Sequence, residues 1–90
     1  MPSIRIPTPL RSYTQNQVEV TVQGENVAQA MEDLVRLYPA LRTHLYNSAG
    51  QLRPFVNLFL NETNVRDLQG METPLQAGDR LLLIPSIAGG

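Results

Sequence analysis

Four aliphatic residues in a row, Leu81-Leu82-Leu83-Ile84, stand six residues before the end of this 90-residue chain, and no charged residue follows Arg80. Read as a strand, the run puts Leu81 and Leu83 on one face and Leu82 and Ile84 on the other. Ala77-Gly78-Asp79, just before it, is a turn. A chain this short supports a single core. The strand must therefore be built into that core, and Pro85-Ser86-Ile87-Ala88-Gly89-Gly90 must leave from it.

The rest of the chain supplies elements to pack around the strand. Ser3 to Pro7 alternates, with Ile4 and Ile6 on one face and Ser3 and Arg5 on the other, until Pro7 and Pro9 interrupt it. Gln17 to Val22 alternates again, with Val18, Val20 and Val22 inward, and the polar connection makes the two strands a hairpin with a loose turn. Asn26, followed three residues later by Gln29, is a helix start signal. Val27, Ala30, Met31, Leu34 and Leu37 form the expected buried stripe, with Glu32 and Arg36 paired on the outer face, and Tyr38-Pro39 stops the helix. Ala40 to Tyr46 has room for one further turn, and Asn47 to Gly50 is a loop.

Phe55 to Leu60 is the third strand, apolar on both faces. Burying Asn57 unpaired would cost about 1–3 kcal/mol, so Phe55, Asn57 and Phe59 share the outer face while Val56, Leu58 and Leu60 point inward. Asn61 to Asn64 reads as a turn, with a short extended piece at Val65-Arg66. The order strand, strand, helix, strand, short strand, strand is that of an α+β domain with one main crossover helix over a mixed sheet. The last strand then sits centrally beside the first, in the β-grasp arrangement. The expected division is a β-grasp domain over 1–84 and a flexible Gly-Gly tail over 85–90.

Composition removes several functions. A net charge of −1 gives no basic footprint for nucleic acid. No apolar run approaches the roughly 20 residues that span a bilayer. The start, Met-Pro-Ser-Ile-Arg, lacks a signal-peptide pattern, so a cytoplasmic location is expected. With no cysteine, there is no thiolate metal site and no side chain to carry a persulfide. No Ser/His/Asp or paired-carboxylate set marks an enzyme. His44, the sole histidine, reads as a surface or capping residue. All seven basic residues are arginine, so no lysine amine is present to attack an activated carboxyl terminus on this chain.

At about 7% average glycine usage, a Gly-Gly ending arises by chance in roughly one chain in two hundred. Two residues without β-carbons let a chain end thread into a narrow channel and leave its carbonyl open to attack. There is no glycine-rich phosphate loop with its lysine here, so activation of that carboxylate would have to occur in trans.

Ile4-Arg5-Ile6-Pro7, the helix Val27 to Leu37, Gly78-Asp79-Arg80-Leu81 and the ending Pro85 to Gly90 together resemble the ubiquitin-like sulfur carriers of the MoaD/ThiS family. The resemblance runs over essentially the whole chain. Phe55 to Leu58, Asn61 to Arg66 and Ile84 to Gly90 look most similar to the CysO branch, whose carriers serve cysteine synthesis. The resemblance implies a β-grasp fold, no catalysis and no bound cofactor. It also implies an ATP-dependent, E1-like activating enzyme that adenylates Gly90, after which a sulfur donor forms a thiocarboxylate. Ile87, Ala88 and Gly89 would enter a sulfur-accepting enzyme. In the CysO branch that enzyme is a pyridoxal-phosphate cysteine synthase, and a metallopeptidase frees the product. Other branches serve molybdopterin, thiamine thiazole or tRNA thiolation, and a protein modifier joined through Gly90 to lysines elsewhere is the competing class. Neither nucleic acid nor membrane is an expected partner.

One further feature comes from the strands themselves. Phe55, Phe59, Leu82 and Ile84 fall on the face away from the helix and form a candidate docking patch, flanked by Arg5 and Arg80. The alternative is that the loop from Ala40 to Pro54 folds over them.

Overall fold

A computed structural model of the chain describes residues 1–54 and 56–85. Five strands form one mixed sheet: β1 (Ser3–Arg5), β2 (Glu19–Thr21), β3 (Val56–Leu60), β4 (Thr63–Asn64) and β5 (Arg80–Pro85). Their spatial order is β2-β1-β5-β3-β4. Strand β5 is central, parallel to β1 and antiparallel to β3. Helix α1 (Val27–Leu37) crosses the inner face, followed by the short helix α2 (Arg42–Leu45).

Strands β1 and β2 are antiparallel, Ile4 facing Val20. Their connection is more ordered than a loose turn. A 3₁₀ turn over Thr8–Tyr13 has Pro9 at its second position, and a tight reversal at Gln15 and Asn16 follows, with φ of 56° and 65°. The Gln17 amide donates to the Thr14 carbonyl at 3.0 Å, which is a turn of the primed kind that suits a hairpin's twist. This compact connection leaves Val18 outside the core, 42% exposed. Val20 and Val22 are buried as expected.

The start of α1 follows the capping pattern. The Asn26 side chain accepts from the Gln29 amide at 2.8 Å, and the Gln29 side chain accepts from the Glu25 amide at 2.8 Å, satisfying two donors at this end. Gly24 fits tightly beside this turn: a β-carbon there would stand 2.6 Å from the Ala30 backbone nitrogen. Val27, Ala30, Met31 and Leu34 are buried, but the stripe continues through Val35, and Leu37 is 42% exposed. Arg36 pairs with Asp33 at 2.6 Å rather than with Glu32, because Asp33 is already held by the Gln23 amide at 2.9 Å.

Ile4, Ile6, Val56, Leu58, Leu81 and Leu83 of the sheet meet Met31 and Leu34 of α1 in the core. Leu41 and Leu45 are fully buried in the same cluster, with Tyr46 and Leu52 packed against it. The segment from Ala40 to Pro54 therefore folds into the helical layer and not over the outer face of the sheet. After β3 the extended piece is Thr63–Asn64, which pairs with Phe59–Leu60. Val65–Asp67 is a 3₁₀ turn, a correction to the extended piece expected there, started by Asn64 accepting from the Arg66 amide at 2.9 Å.

Candidate functional site: the outer face of β5

The register fixes what surrounds β5. Leu82 lies between Arg5 of β1 and Phe59 of β3. Ile84 faces Asn57, and Arg80 faces Ser3. Because side chains alternate along a strand, Leu81 and Leu83 fill the core while Leu82 and Ile84 stand on the other face, 37% and 39% exposed. Phe59 is half-buried beside Leu82, and Asn57 is on the outer face as its polarity requires. A shallow depression of about 640 Å³ results, floored by Phe59, Leu82 and Ile84 and rimmed by Arg5, Arg80, Asn61 and Glu62.

Two turns set the near edge. Gly78 has φ of 87°, which a side chain would strain. Next to it the Asp79 carboxylate accepts from the Gln76 amide at 2.8 Å, and its carbonyl accepts from the Ser3 amide at 3.0 Å. These bonds lock the start of β5 to that of β1. Asn61, with φ of 58°, makes the turn from β3 to β4 and donates its amide to the Arg80 carbonyl at 3.3 Å.

Charge on the face is unevenly matched. Arg80 lies 3.6 Å from Glu19, both well exposed, a pairing worth little in water. Arg5 has no acidic partner within ion-pair distance among the described residues. Two groups of the helical layer have their protonation shifted by the fold. The Gln23 amide, with help from Arg36, holds the Asp33 carboxyl below its ordinary value, against a smaller opposing effect of burial. Burial, assisted by Glu32, raises the Tyr46 phenol. His44 stacks on Tyr13 with ring centroids 4.2 Å apart. Among the described residues no group of three His, Cys, Asp or Glu could hold a metal ion, and no helix is long and apolar enough to cross a membrane.

Of the candidate residues, the structure brings Phe59, Leu82 and Ile84 together on one face. Phe55, Ile87, Ala88, Gly89 and Gly90 lie outside the described residues. Sequence reasoning missed Asn61 and Glu62 on the rim. Their position directly after β3, in a turn beside β5, was the available signal.

The ThiS family profile matches residues 4–90. The chain belongs to the ThiS family. It is 33% identical over 90 residues to the sulfur carrier protein CysO of Mycobacterium tuberculosis, covering 98% of this chain and 97% of that one. Among solved structures it is similar to CysO in the BexX/CysO complex of Amycolatopsis orientalis, with a TM-score of 0.88, 29% identity and full coverage of both chains. It is equally similar to the small archaeal modifier protein 1 of Methanosarcina acetivorans, with a TM-score of 0.89, 26% identity and coverage of 99% and 95%. The fold is thus that of the ubiquitin-like β-grasp carriers, and the ThiS-family chain is a carrier or modifier rather than a catalyst.

Proposed function

We propose that this ThiS-family chain carries sulfur as a thiocarboxylate at Gly90 for a biosynthetic enzyme, that of cysteine synthesis in first place. The observation that supports the reading is that β5, the central strand, ends at Pro85, five residues before Gly90 in the sequence, and that the ThiS family match runs through that ending. The 33% identity to CysO supports the cysteine branch. Molybdopterin, thiamine or tRNA thiolation are the other destinations within the same chemistry.

A carboxylate is a poor electrophile. An E1-like activating enzyme would spend ATP to join Gly90 to adenylate, and a sulfur donor would then displace that leaving group. The chain binds no cofactor of its own; ATP acts in trans. Ile87, Ala88 and Gly89 would thread into the accepting enzyme while Phe55, Phe59, Leu82 and Ile84 dock its outer surface. In the cysteine branch the acceptor would hold pyridoxal phosphate and a metallopeptidase would free the product, all in the cytoplasm. A protein that binds Arg5 would offer it a carboxylate, since Arg5 lacks one among the described residues of its own chain.

Intact mass measurement of the protein produced together with its activating enzyme tests the cycle. The expected product is heavier by the difference between one sulfur and one oxygen, and it disappears when Gly89 and Gly90 are deleted. An unchanged mass refutes the reading. The similarity to small archaeal modifier protein 1 favours one second reading, a modifier attached through Gly90 to lysines of other proteins. Gly-Gly remnants on lysine peptides from cell lysates would be its signature.

A further inference from the structure

The turn that joins β3 to β4 is held in an unfavourable backbone. Leu60 pairs with Thr63, so Asn61 and Glu62 are the two residues of a tight hairpin reversal, and both have positive φ. Asn61, at 58°, sits near the ordinary left-handed value, as Gln15 and Asn16 do at 56° and 65°. Glu62 stands at 152°, in a range that is close to glycine-only. Two-residue reversals of this kind favour glycine at the second position, Asn-Gly being a preferred pair. Here the pair is Asn61-Glu62.

No ion pair among the described residues repays that strain. Glu62 is exposed and stands in none of them. The Asn61 amide reaches the Arg80 carbonyl at 3.3 Å, yet the Arg80 side chain lies 3.6 Å from Glu19 instead. Glu62 and Arg5 both line the depression over Phe59, Leu82 and Ile84. They stand at opposite edges of it, Arg5 on β1 and Glu62 beyond β3, with β5 between. Their backbones are thus two strand spacings apart or more, about 10 Å. The apolar floor carries one charge of each sign, on opposite edges, that no described residue of the chain answers.

We propose that Glu62 is a specificity-determining residue of the outer face, its carboxylate receiving a lysine or arginine of the sulfur-accepting enzyme, opposite the carboxylate that Arg5 takes. This role rests on the outer face being the docking surface of the proposed function. One orientation of the partner satisfies both charges. The same partner turned by half a revolution about the sheet normal sets like charges together at both edges. Glu62 therefore selects which way round the partner sits, and with it where the partner's active site lies relative to Pro85. A glycine would suit the turn and lose that selection.

Substitutions at this one position separate backbone from charge. Glu62→Ala keeps the strain and removes the carboxylate, Glu62→Gly removes both, and Glu62→Gln removes the charge alone. In urea unfolding Glu62→Gly should have a higher midpoint than Glu62→Ala. An unstrained position gives the reverse order, because glycine's extra freedom in the unfolded chain favours alanine. Titration at low salt against the pyridoxal-phosphate cysteine synthase supplies the second readout. Glu62→Gln should bind about two- to five-fold more weakly than the parent protein, Glu62→Arg more weakly still, and both differences should shrink at about 1 M salt. Glu72→Gln makes the same charge change in a turn that packs with α1, and it should bind as the parent protein does. A higher midpoint for Glu62→Ala overturns the strained backbone. Glu62→Gln binding like the parent protein, or no more weakly than Glu72→Gln, overturns the charge recognition. A parent protein that does not bind the synthase fails the cysteine branch of the proposed function and this role together, whereas a parent protein that binds with unaffected variants refutes the role of Glu62 alone.

Discussion

Leu81 and Leu82 are neighbours on one strand with the same side chain, and replacing each by alanine separates fold from function. Leu81 is fully buried against the core, so Leu81→Ala removes three carbons and leaves a cavity, at a cost of about 2–5 kcal/mol. Leu82 is 37% exposed and open to solvent, so no closed cavity forms and the loss is about 1 kcal/mol. At a docked partner the order reverses. Full burial of a leucine is worth about 1.5–3 kcal/mol, and covering the exposed third of Leu82 therefore contributes about 0.5–1 kcal/mol. That corresponds to roughly two- to five-fold in affinity. Urea unfolding gives the first pair of values, and titration of each variant against the accepting enzyme gives the second. The expected pattern is a large stability loss with unchanged affinity for folded Leu81→Ala, and the converse for Leu82→Ala. Equal stability losses would refute the assignment of faces. Unchanged affinity in Leu82→Ala would refute the outer face as the docking surface.

Gly24→Ala should destabilise the protein by about 1–3 kcal/mol in urea unfolding, since the new β-carbon meets the α1 backbone at 2.6 Å and neither side can yield as a flexible side chain would. Asp33 gives a pH signature. Its carboxyl is held below the ordinary value of 3.8 by the Gln23 amide and Arg36, so its stabilisation is present above that value and lost as pH falls through the depressed one. Asp33→Asn should therefore lower the urea midpoint at neutral pH, and its midpoint should converge on that of the parent protein in acid. A constant difference across that range would show that the Asp33 charge is not responsible.

How far the sequence could be read depended on whether a residue's place follows from its neighbours in the chain. Leu81 to Ile84 and the Asn57 argument for β3 rest on strand alternation, and both faces came out as expected over Val56 to Leu60 and Leu81 to Ile84. The α1 cap was equally legible because Asn26 and Gln29 act over one turn. The helix stripe was ambiguous at its end. After Leu34, either Val35 or Leu37 keeps helical spacing, and burial of Val35 depends on the segment Pro39–Leu45 packing beside the helix. Arg36 had acidic residues at both −3 and −4. The Gln23 amide, ten residues from Asp33 in sequence, decided between them, and no local pattern carries that information. Val18 kept the alternation but lay beyond the reach of the element that covers Val20 and Val22. On the outer face, the composition of the patch was legible while its rim at Asn61 and Glu62 depended on how the β3–β4 turn closes beside β5.

The central position of β5 also has a mechanical meaning. Tension applied to the chain end runs along β5, across hydrogen bonds to β1 on one side and β3 on the other. Those bonds lie perpendicular or slanted to the pull and share the load together, so they cannot be opened one after another like a zipper. A machine that seizes the tail must shear two strand pairings at once. A pull along β5 towards Pro85 is therefore a poor way to unravel the domain.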